Sequence, residues 1–103
     1  MSYEVLDGPS KQFKLSAVNT TTPVEVYASG SAFAERKVIT LQADGKFYIY
    51  FADEGETPNA ATVSANGFIQ YKDAKESYEA TGSQAVFVLA VAGTVDIRGA
   101  ERA

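Results

Sequence analysis

The stretch Lys37-Val38-Ile39-Thr40-Leu41-Gln42-Ala43-Asp44-Gly45-Lys46-Phe47-Tyr48-Ile49-Tyr50-Phe51-Ala52 decides how this 103-residue chain folds. Two runs rich in β-branched and aromatic residues flank Asp-Gly, a strong short-range turn signal. A two-residue loop would place Gln42 opposite Phe47 and put Ile39 and Leu41 on one face with Tyr48 and Tyr50. A three-residue loop, Ala43-Asp44-Gly45 with Gly45 left-handed, sets Leu41 opposite Phe47 and Ile39 opposite Ile49. Only the second gathers Ile39, Leu41, Phe47, Ile49 and Phe51 on one side. It leaves Val38, Thr40, Gln42, Tyr48 and Tyr50 on the other. A half-buried sheet requires this segregation, so the segment is expected to be a hairpin with the longer loop.

Upstream, Asp7-Gly8-Pro9 is a turn sequence that sets an arm, residues 1–10, apart from a single β-sandwich domain over residues 11–103. Tyr3, Val5 and Leu6 are too apolar for an idle tail. They suit either an edge strand or lid over this subunit's own core, or a contact to another chain. Gln12 to Val18 alternates Phe13, Leu15 and Ala17 against Lys14 and Ser16, a strand with one wet face. Pro23 closes a polar break, and alternation resumes from Val24 to Ala28. Residues 29–36 read as a loop whose large residue, Phe33, is exposed unless it tucks under the sheet.

Downstream, residues 53–59 form an acidic, flexible excursion. Asp53, Glu54 and Glu56 lack the alternation and the closing bidentate glutamate of a calcium loop, so no metal site is assigned. Ala60 to Ser64 reads as a weak strand around Val63, and Asn66-Gly67 turns into a strand from Phe68 to Tyr71. Residues 71–80 have a composition that tolerates one helical turn but lack the apolar stripe of a helix, so a polar loop is preferred. Gln84 to Ala92 is apolar on both faces, which predicts a central strand with something against its second face. Val95 to Arg98 alternates, and residues 99–103 read as a polar tail. The expected fold is all-β: an antiparallel two-sheet sandwich or jelly roll of about eight short strands.

Composition narrows the chemistry. Hydrophobic residues make up 46% and charged residues 21%, which suits a globular domain rather than a disordered chain. With no Cys there are no disulfides or thiolate metal sites, and with no His the commonest general base and metal ligand are missing. A net charge of −4 repels phosphate backbones, so no nucleic-acid partner is expected. The apolar run Ala85 to Gly93 is too short to span a bilayer, and Met1-Ser2-Tyr3-Glu4 lacks the features of a signal peptide. The expectation is a soluble protein made in a cytoplasm, with no membrane partner.

No catalytic residue is assigned. The carboxylates lie mostly in loops or on wet strand faces, and no Ser-x-x-Lys pattern or phosphate-cradling glycine loop occurs. The chain is therefore read as non-enzymatic, without a cofactor. Tyr48 and Tyr50, spaced two apart on the hairpin's outer face, can stack on sugars or bury in a protein partner. The alternative is that they lean on a neighbouring loop or on the arm. Val38, on the same face, makes it partly apolar, and the doubly apolar strand adds weight to a subunit or partner contact. The candidate contact residues are thus Tyr3, Val5, Leu6, Phe33, Val38, Tyr48 and Tyr50.

Two segments carry a resemblance. The first is Gln84-Ala85-Val86-Phe87-Val88-Leu89-Ala90-Val91-Ala92-Gly93-Thr94-Val95-Asp96-Ile97-Arg98, an apolar run followed by Gly-Thr and Val-x-Ile-Arg, read as a final hairpin. The second runs from Pro23-Val24-Glu25-Val26-Tyr27 through Ile39 to Phe47, a strand, a variable loop and an x-Gly-x-Phe turn. Over about two thirds of its length the chain resembles small virion proteins of tailed bacteriophages, most of all capsid decoration, or cement, proteins. The resemblance implies a cysteine-free β-sandwich on the outer capsid surface of a virion assembled in a bacterial host. It implies major capsid protein and further copies of this chain as partners, with a trimer preferred to a dimer. A phage tail, fibre or glycan-binding module is the alternative expectation.

Overall fold

A computed structural model of the chain describes residues 10–27 and 34–103. Tyr3, Val5, Leu6 and Phe33 lie outside the described residues, as does the arm before Ser10. Among the described residues the elements run β1 (Ser10–Val18), β2 (Val24–Glu25), β3 (Val38–Ala43), β4 (Phe47–Phe51), α1 (Ala60–Asn66), β5 (Phe68–Gln70), β6 (Glu76–Glu79), β7 (Val86–Ala90) and β8 (Val95–Arg102). The strands form two four-stranded antiparallel sheets, ordered β1-β8-β3-β6 and β2-β7-β4-β5. Every connection except β4 to β5 carries the chain from one sheet to the other. That winding is a jelly roll, one of the two architectures the alternation allows.

The winding overturns the expected hairpin. β3 pairs with β8 and β6, whereas β4 pairs with β7 and β5, so the Asp44-Gly45 loop arches between sheets. The faces were nevertheless read correctly. Ile39, Leu41, Phe47 and Ile49 are all fully buried, and they meet across the sandwich instead of along a hydrogen-bonded ladder. Gly45 is not left-handed either; among the described residues the glycines at positive φ are Gly55 (78°) and Gly93 (60°). Gly45 is required because a Cβ there would sit 2.6 Å from Val95 Cγ1 at the start of β8. Asp44 fastens the same crossing, its Oδ1 accepting from Asp96 N at 2.9 Å. The expected final hairpin is likewise an arch, with β7 in one sheet and β8 in the other.

Three local readings change as well. The weak strand at Ala60 to Ser64 is helix α1, opened by Asn59, whose side chain accepts from Thr62 N at 2.8 Å. Three alanines suit the helix, and its one buried residue, Val63, anchors it. The polar loop at 71–80 contains strand β6, where Tyr78 lies opposite Ile39 and Ser77 opposite Thr40. The supposed polar tail is the end of β8, which runs to Arg102.

Helix α1 accounts for the doubly apolar strand. It packs against β4 and β7, and all five residues of β7 are buried. Val86, Val88 and Ala90 join the core between the sheets, while Phe87 and Leu89 point the opposite way. The element against the second face is therefore the chain's own helix, and β7 gives no ground for a subunit contact.

Candidate functional site

The largest buried side chain is one that the sequence reading placed in a loop. Arg36 lies just before β3 and has 2% of its surface exposed. Its Nη1 is 2.9 Å from Glu101 Oε2, and both side chains are fully enclosed. Nη1 also donates to Val26 O at 3.2 Å, Nε to Ala80 O at 2.9 Å, and Nη2 to the carbonyls of Thr81 and Gln84. All five guanidinium N–H groups are used. Arg36 thereby ties β2, the β6–β7 turn and β8 together at one end of the sandwich. A buried carboxylate and guanidinium suggest chemistry at first sight. Enclosed and fully hydrogen-bonded, this pair offers no group to a substrate and is a structural clamp.

A second clamp closes the edge where β5 and β6 lie. Gln70 is buried; its Nε2 donates to Leu41 O at 2.8 Å and Ala74 O at 2.9 Å, and its Oε1 accepts from Tyr78 OH at 2.9 Å. It joins the second sheet to the first. The ring of Tyr78 meets that of Phe51 edge-on, centroids 5.9 Å apart, spanning the same gap.

The proposed contact residues are not brought together. Val38, half-buried, lies on the outer face of the first sheet, in one row with Arg102 and Glu79. Tyr48 and Tyr50 lie on the outer face of the second sheet, on the opposite side of the molecule. The expected partly apolar face therefore does not exist, because it depended on β3 and β4 being neighbours. Tyr50 is held in place by a loop: its hydroxyl donates to the Glu56 carboxylate at 2.8–2.9 Å, and the same carboxylate accepts from Asp53 N at 2.9 Å. The acidic excursion is thus a hydrogen-bonded turn that leans on the sheet. Tyr48 lies opposite Ile69 of β5.

The hydrogen bond to Glu56 is the first cause raising the Tyr50 pKa above its usual value; partial burial and the negative charges of Glu56 and Asp53 act in the same direction. A phenol whose pKa is higher in the folded than in the unfolded chain adds stability below the unfolded value of about 10. That stability is lost as pH rises through the folded value. The urea midpoint of the wild type should accordingly fall more steeply above about pH 10 than that of Tyr50→Phe, which has no proton to lose there. Parallel curves would show that the Tyr50–Glu56 bond has no thermodynamic weight.

The exposed apolar surface is elsewhere. Phe68 is 67% exposed, Ile69 45% and Tyr71 61%, all on or beside β5, an edge strand of the second sheet. Lys46 Nζ lies 5.9 Å from the centre of the Tyr71 ring. The sequence reading identified this strand but did not single out its residues, because in Phe68-Ile69-Gln70-Tyr71 the one polar residue, Gln70, is the buried one and the apolar residues are exposed. Among the described residues no group of three or more acidic side chains is placed to hold a metal ion, and no helix is long and apolar enough to cross a membrane. No protein-family model matches the chain, and no match is found among curated proteins or solved structures.

Proposed function

We propose that this protein is a non-enzymatic structural component of a bacteriophage particle, one that decorates the outer capsid and braces neighbouring major capsid proteins. The observation that carries the reading is the exposed edge at β5. Large apolar side chains on an unpaired sheet edge are a liability for a free monomer, which ordinarily keeps its edges short, charged or covered. Both edge strands of this sheet are short, but Val24 and Glu25 of β2 are half-buried whereas Phe68 and Ile69 of β5 are large, apolar and exposed. At β5 the backbone can pair with a strand of a capsid protein or a second copy, while Phe68, Ile69 and Tyr71 fill the contact. The resemblance of the sequence to cement proteins supports the choice of partner, and the jelly-roll body supplies a rigid wedge for it.

Two measurements test the reading. Purified particles should carry the protein at a copy number comparable to that of the major capsid protein; a handful of copies per particle would point to the tail instead. The triple variant Phe68→Glu, Ile69→Lys, Tyr71→Glu should keep its sheet signal in circular dichroism. It should bind particles at least about tenfold more weakly, because three charges would then be buried without partners. Undiminished attachment would exclude the β5 edge as the contact.

A further inference from the structure

The outer face of the first sheet carries a second surface, of opposite character and on the opposite side of the molecule. Strand register arranges it in rows. Lys14, Arg98 and Gln42 form one row, Gln12, Ala100, Thr40 and Ser77 the next, and Ser10, Arg102, Val38 and Glu79 the third. Unlike the second sheet, which α1 covers, this face has no described element packed on it. The small side chain of Ala100 at the middle of β8 leaves a trough, with taller polar side chains standing on either side.

Charge is distributed unevenly over that trough. The chain as a whole is −4, yet Arg98, Arg102 and Lys75 line the trough, and none has a carboxylate within 4 Å among the described residues. The fourth cation of the face, Lys14, is 3.8 Å from Asp96. Beyond Arg98 the trough is bounded by Asp44, Asp73 and Asp96, and Glu79 ends the Arg102 row, so the favourable stretch is the span between the two arginines. Four residues of strand separate those arginines by about 13 Å. Cations set out along the strand at that spacing suit acidic groups repeated along a chain.

We propose that this trough binds an acidic polysaccharide. The arginine forks pair with its carboxylate or sulfate groups, and the side chains of Gln12, Gln42, Thr40 and Ser77 exchange hydrogen bonds with its hydroxyls. The composition of the described face favours a glycan over the other polyanions. Among the described residues it has no aromatic ring on which a base of a single strand could stack, and the chain's net charge of −4 repels a duplex backbone. Among the described residues Val38 is its only large apolar one, which gives no hydrophobic centre around which a protein interface forms. With charge rather than stacking as the source of affinity, neutral sugars should bind poorly.

The test is affinity electrophoresis of the full chain in gels containing oligogalacturonate or dextran sulfate, with dextran and poly-glutamate as controls. Retardation by at least one of the acidic glycans is expected, with none by dextran, and it should weaken with added salt. Arg98→Gln with Arg102→Gln should weaken it about tenfold or more while circular dichroism stays unchanged. The Phe68, Ile69, Tyr71 variant should be retarded like the wild type, so this result is independent of capsid attachment. Absence of retardation by both acidic glycans would overturn the proposal. So would equal retardation by poly-glutamate, which would reduce the effect to charge alone, or full retention by the arginine double variant.

Discussion

Arg36→Ala should lower the unfolding free energy by about 3–5 kcal/mol, enough to leave a domain of this size only partly folded at ordinary temperatures. The loss has two sources. The enclosed Glu101 carboxylate would lose the Arg36 guanidinium, and the carbonyls of Val26, Ala80, Thr81 and Gln84 would each lose a donor. Glu101→Gln separates the two. It deletes the charge but keeps an acceptor oxygen in reach of Nη1, and Arg36 still serves its four carbonyls. That variant should therefore cost clearly less than Arg36→Ala in urea denaturation. If the two cost the same, the ion pair outweighs the carbonyl network. If Arg36→Ala costs under about 1 kcal/mol, the clamp is not what joins this end of the sandwich.

Ile49→Ala should cost about 2–5 kcal/mol, since the side chain is fully buried between the sheets and its removal leaves a cavity that rigid strands cannot close. Thr40→Ala, on the outer face of β3, should cost under about 1 kcal/mol. It forfeits only an exposed hydroxyl contact to Ser77 at 2.9 Å. Similar losses at the two sites, read as shifts in the urea midpoint, would contradict the division of inner and outer faces. This pair of variants reports on the faces and is blind to strand pairing. Ile49 is buried whether β4 lies beside β3 or across from it.

That blindness explains how far the sequence could be read. Alternation in Val38–Ala43 and Phe47–Phe51 placed each side chain on its proper face, because a strand's pleat is a property of the strand alone. The Asp44-Gly45 turn could not say whether the chain returned beside itself or crossed to the facing sheet. That choice was made by β8, which pairs with β3 over six residues and brings Val95 up against Gly45. Helix α1 was misread for a similar reason. Its seven residues bury only Val63, too little for a periodic signal, and Asn59 with the alanines was the surviving hint.

The candidate surfaces were legible to different degrees. Glu101 could have been found by carrying the phase of Val95 and Ile97 past Gly99, since odd positions of β8 face inward. Arg36 could not, because it stands outside the strand and its five partners come from three distant segments. The trough depends on register between β1, β8, β3 and β6, and no local pattern specifies that Arg98 and Arg102 flank a row of hydroxyl and amide groups. Tyr48 and Tyr50 looked exposed from alternation, but the 53–56 turn that holds Tyr50 belongs to the folded chain.

By itself the sequence determined the all-β class, the two-sided burial of β7 and the inward faces of β1, β3 and β4, because these follow from a period of two and from turn residues a few positions apart. Tertiary structure alone decided which strands are neighbours, that α1 covers β7, and where buried charge and exposed apolar surface lie. Those depend on contacts between residues tens of positions apart, whose free energy exists only once the sheets have closed on one another.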